Sequence, residues 1–148
     1  MHEVLYFVHL TALALWLGTL VVAAWWSRAA LVAPDAGSRN WGLRMVGQLT
    51  TWVSAPASLL VLLAGVSMVM VAGTAGAYRP LWFQVMEQGG GMLVLVSIFL
   101  LPALARRVRR AADDHASVHR AVRNFVVGLG TMAVGVLGVI LTVSLRLA

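Results

Sequence analysis

The chain of 148 residues is 61% hydrophobic and only 11% charged, carries a formal net charge of +6 and contains no cysteine. Soluble domains run at about 25% charged residues, so composition excludes a water-soluble globule, and the missing thiols exclude disulfides, thiolate metal sites and iron–sulfur clusters. The mean hydropathy of +0.89 points to an all-α integral membrane four-helix bundle, a single four-span domain built from runs of about 20 apolar residues.

The first predicted span covers about residues 4–26 and opens MHEVLYF, with an acid and no cation. A cleaved signal peptide wants a basic start and a short apolar core, so the expectation is a permanent span. Inside it, HLTALALWLG at 9–18 holds a histidine in a stretch, Leu5 to Trp26, without Asp, Glu, Lys or Arg. The second span, about 51–71, has Pro56 in its first two turns, where a missing N–H is tolerated or gives a modest kink. The third is interrupted by Gln84, Glu87, Gln88 and the glycines at 89–91. A helix begun at Gly91 would be too short to cross, whereas Pro80 suits a first helical position and gives a span of about 81–105. Three glycines there weaken the helix but let a neighbour come close. After a polar loop, ADDHASVHR, in which Asp113 and Asp114 suit a helix cap, the fourth span covers about 124–147.

All eleven cationic side chains are arginines, and nine of them lie in the loops between spans one and two and between spans three and four. The positive-inside rule then puts both basic loops in the cytoplasm and both termini on the outer side. The sequence pI near 11.6 is thus a topology signal. RRVRR at 106–110 has no folded soluble face to serve nucleic acid, so no nucleic-acid partner is expected. The lipid bilayer is the expected partner, its anionic headgroups attracting the arginines.

With a rise of 1.5 Å per residue, His9 lies roughly 8 Å below the outer end of its span and Glu87 roughly 10 Å below the outer end of span three. Ionisable groups at membrane depth face the bundle interior and find one another or a ligand. Trp16, seven residues after His9, shares its helical face. Met68 and Met70 near the outer end of span two, and Met86 and Met92 on span three, supply thioether sulfurs at the same level, beside Thr142 and Ser144 of span four. Histidine with methionine suits Cu(I), and histidine also suits haem iron with His or Met as second axial ligand. Met68 and Met70 lie about 200° apart around a helix of 3.6 residues per turn, so they do not both face one ion. His2 is terminal, and His115 and His119, an i, i+4 pair among arginines, lie at the opposite membrane face from His9. No Ser–His–Asp set, phosphate loop or intramembrane carboxylate pair supports an enzymatic reading.

The first span, with His9, Trp16 and Gly18 in the pattern His-x6-Trp-x-Gly, resembles that of the copper-resistance protein D (CopD) family and of related small four-span families. The second span is similar to theirs in Trp52, Pro56 and Gly65. The resemblance covers mainly the first half of the chain. It implies a protein of a bacterial inner (plasma) membrane that handles copper, by capture, transport or delivery. His9 would be the principal ligand, Met70 or Met68 a soft co-ligand and Glu87 a charge partner. A periplasmic copper donor, a homo-oligomer or a membrane-complex partner would fit that role. These families also look related to four-helix b-type cytochromes and to a membrane protoporphyrinogen oxidase family, which implies the alternative of haem b with His9 axial and Trp16 packed on the macrocycle. Since His9 is the one histidine within the spans, the second axial ligand would be a methionine or come from another subunit. A third reading is a structural subunit in which His9 pairs with Glu87 or Gln84 to fix helix register.

Overall fold

A computed structural model describes residues 2–71, 81–111 and 115–145. The architecture is all-α. Helix α1 runs His2–Leu31; α2, Ala36–Leu49, continues through a π-helical turn, Thr50–Ser54, into α3, Ala55–Val71. A short α4, Leu81–Gln84, continues through a second π turn, Val85–Gly89, into α5, Gly90–Arg110, and α6 runs His115–Leu145. Four helical runs are long and apolar enough to cross a membrane, which suggests a multi-pass membrane protein. The expected helix start at Pro80 and the caps at Asp113 and Asp114 lie outside the described residues.

Each long helix contributes one narrow inward stripe. On α1 it is Ala12, Trp16, Leu20, Ala23, Ser27 and Ala30; on α6 it is Val118, Val122, Phe125, Leu129, Met132 and Val136. Steps of three and four keep such residues on one side of a helix. Helix α1 packs on α3 and α6, and α5 packs on the same two, so α1 and α5 face each other across the diagonal of a four-helix square. Two glycines of α6 shape the α5 contact. A Cβ on Gly135 would lie 2.8 Å from Leu93 Cδ2 and one on Gly128 would lie 3.0 Å from Leu104 Cδ1, so each leucine occupies space that any larger residue would claim.

The rest of the surface is apolar. Only 22% to 28% of each membrane-length stretch is buried within the chain, and Phe7, Phe99 and Val134 are among many large side chains that point outward. Water would penalise that surface at roughly 25 cal/mol per Å²; lipid would not.

Two features differ from expectation. Residues 36–49, read as part of a basic loop, form α2, capped by Asp35, whose carboxylate accepts from the Ser38 N–H at 2.8 Å and the Ser38 hydroxyl at 2.7 Å. Pro56 consequently lies inside a continuous helical run rather than at the start of one. A proline there lacks an N–H and crowds the carbonyl four residues back. The π turn just before it, closed by the Ala55 N–H on the Thr50 carbonyl, widens the coil at that point and accommodates the ring. Likewise, the glycines at 89–91 do not break the helix, as the sequence required for a full-length third span.

Candidate functional site

His9 projects from α1 towards α3, half-buried, with Nδ1 3.0 Å from the carbonyl oxygen of Val61. A carbonyl can only accept, so Nδ1 carries a proton, and in the neutral ring the lone pair is then on Nε2. The imidazole also lies beside Gly65, one turn along α3, where a Cβ would sit 3.4 Å from His9 Cε1 and 3.7 Å from Nδ1, at ordinary van der Waals distance. A backbone carbonyl on one ring nitrogen is the usual way a ligating histidine is held in tautomer and orientation.

Trp16 shares the inward face of α1 but does different work. It is 2% exposed, and its Nε1–H donates to Ser97 Oγ at 3.0 Å. That bond crosses the diagonal of the square and aligns α1 with α5. Seven residues back along both helices, which run in the same direction, His9 stands level with Gly90. At Gly90 and Gly91 a Cβ would meet open space outside the helix's own backbone.

The other candidates divide. Val61, Gly65 and Met68 are spaced i, i+4, i+7 and form one stripe of α3 facing α1. Met68 is therefore on the histidine side and half-buried, whereas Met70 turns away and is 73% exposed. Glu87 sits exposed on the second π turn. Its level follows from the α1 and α5 alignment: three residues before Gly90, it lies about a turn further out than His9. Met86 is half-buried, Met92 is exposed, Thr142 donates to its own helix at the Gly138 carbonyl, and Ser144 is exposed. Among the described residues there is no group of three or more His, Asp or Glu placed to share a metal ion. His119 lies at the far, arginine-rich end of the bundle, and the side chains of His2 and His115 lie outside the described residues. Two clefts open at that arginine-rich end and neither includes His9.

Sequence reasoning located His9 and its face but not its partner. Val61 contributes only a backbone oxygen, which no side-chain pattern announces. No family model matches the chain, and no curated protein or solved structure gives a match.

Proposed function

We propose that this protein handles copper at the end of the bundle away from the arginines, with His9 Nε2 as the principal donor. The observation that carries the reading is the Nδ1–H to Val61 carbonyl bond, because it leaves Nε2 as an oriented, unprotonated donor in the neutral ring. Cu(I) accepts few, soft ligands; one imidazole with the thioether of Met68, on the same stripe as Val61, suits it better than ions that demand a cage of carboxylates. Met70, turned outward, is the weaker co-ligand, and Glu87 would attract a cation towards the mouth of the site. On this reading copper is cargo, captured from the outer face, with both termini outside and the basic loops in the cytoplasm of a bacterial inner membrane. The first-span pattern shared with the copper-resistance protein D family supports the same function.

The same tautomer also suits an axial histidine, so haem b is the second reading. The open space at Gly90 and Gly91 favours it, while the engagement of the Trp16 indole with Ser97 speaks against that ring being available to pack on a macrocycle. One sample separates the readings. Anaerobic Cu(I) titration of detergent-purified protein against a chromogenic chelator should give about one site per chain, lost in His9→Ala and weakened in Met68→Leu. A Soret band with a dithionite-reduced α-band would replace copper by haem. Neither signal would leave His9 as a structural residue and end both ligand readings.

A further inference from the structure

The arginine-rich end of the bundle carries a separate feature, and its reading rests on membrane residence rather than on the role of His9. Between the end of α1 and the start of α6 is a cleft of about 580 Å³, within the range of small-molecule sites. Its rim carries Arg28 from α1 and Arg120 and Arg123 from α6. Its apolar lining on α6 is Val122, Val126 and Val127, of which Val127 is exposed while the other two are buried in the bundle. The cationic and apolar halves are stacked along the helix axis, because α6 passes from its last arginine, Arg123, into the apolar run that starts at Phe125.

The rim charge is uncompensated among the described residues: none of the three guanidinium groups makes an ion pair there, and the one described acid at this end, Asp35, is engaged by Ser38. All three arginines are exposed, so their forks are available for a phosphate, which they bind bidentately. Trp25, one turn before Arg28 and 71% exposed, marks this level as the headgroup zone, where tryptophan concentrates. A ligand that fills the cleft therefore needs a phosphate at the height of the arginines and hydrocarbon directly beneath it.

We infer that the cleft between α1 and α6 is a specific binding site for an anionic phospholipid, its phosphate held by Arg28, Arg120 and Arg123 and its acyl chains laid on the outward apolar face of α6 at Val127. Basic pockets between membrane helices serve this purpose elsewhere. Charge alone would attract lipid anywhere around this end; a site adds dependence on particular arginines.

The test is native mass spectrometry of the full chain from detergent, with phosphatidylglycerol or cardiolipin added against phosphatidylcholine of the same acyl chains. Wild type should prefer the anionic lipid by about tenfold or more, as two or three close arginines imply. The pair Arg120→Gln with Arg123→Gln should lose that preference. The pair Arg106→Gln with Arg107→Gln, an equal charge change on exposed residues outside the cleft, should keep it. Arg28→Gln, on the other helix, should weaken it and decides the matter if the double variant fails to fold by circular dichroism. Equal losses in the cleft and control pairs would reduce the effect to bulk charge and overturn the site. Displacement of the lipid by inorganic phosphate at the same concentration would also overturn it, as a phosphate site without a lipid.

Discussion

Two buried serines show how differently one hydroxyl can be used. Ser97 Oγ accepts from the Trp16 indole, whereas Ser54 Oγ, on a fully buried residue in the first π turn, has no partner among the described residues. Ser97→Ala leaves an indole N–H orphaned in the core and should cost about 1–3 kcal/mol. Ser54→Ala, the same deletion of one oxygen, removes a buried polar atom that gains nothing from the fold and should be neutral or stabilising. Thermal unfolding of both variants in one detergent compares them directly, and a larger loss at Ser54 would contradict the assignment. Asp35 gives the pH counterpart. Its hydrogen bonds from the Ser38 N–H and hydroxyl hold its carboxyl below the usual value near 3.8. A depressed folded pKa stabilises above the unfolded value, and that contribution is lost as pH falls through the folded one. The start of α2 should therefore fray as pH falls below about 4, a change that Asp35→Asn, which keeps the cap without the charge, should abolish in amide exchange of residues 36–39. At this scale the sequence was informative where a side chain carries the chemistry, as with His9 and Trp16. It was silent where the partner is main chain, since the Val61 carbonyl is like every other.

The elements were legible in proportion to the apolar signal of their buried faces. The four spans stood out, and the length requirement, with Pro80 as a first helical position, carried the third helix through its three glycines. Helix α2 did not stand out, because its buried residues include Gly42 and Gly47 beside Leu43 and Val46, and glycine contributes no apolar signal. Those glycines permit close approach instead: a Cβ on Gly42 would come within 3.1 Å of Ala30 Cβ. The same logic makes the α5 and α6 contact testable. Gly135→Ala puts a methyl where Leu93 now lies and should cost about 1–3 kcal/mol by overpacking. Leu93→Val in the same chain should return part of that loss, since residues that share a contact couple. Additive effects in the double variant would mean that the two helices do not interlock at this point.

For the whole molecule, the distribution of charge is the clearest feature. Arg28, Arg44, Arg106, Arg107, Arg109, Arg110, Arg120 and Arg123 gather at the end reached by the last turns of α1 and α5 and the first turns of α6, and the outward faces between the ends are apolar. If that end is cytoplasmic, as the positive-inside rule requires, a membrane-impermeant maleimide should label Glu3→Cys in intact cells and Ser38→Cys only after the membrane is opened. The native chain has no cysteine, so the background is nil. The reverse pattern would invert the topology and put His9 at the inner leaflet. The two ends also differ in chemistry: one gathers arginines, while the other carries His9, held against α3 by the Val61 carbonyl.

If His9 is held as a donor with Nε2 free, nitrogen NMR of protein labelled at its four histidines, with and without Cu(I), should resolve it. One neutral imidazole protonated at Nδ1, missing from His9→Ala, should appear, and its Nε2 resonance should move when Cu(I) is added. A His9 ring protonated at Nε2, or an Nε2 resonance indifferent to Cu(I), would contradict that arrangement.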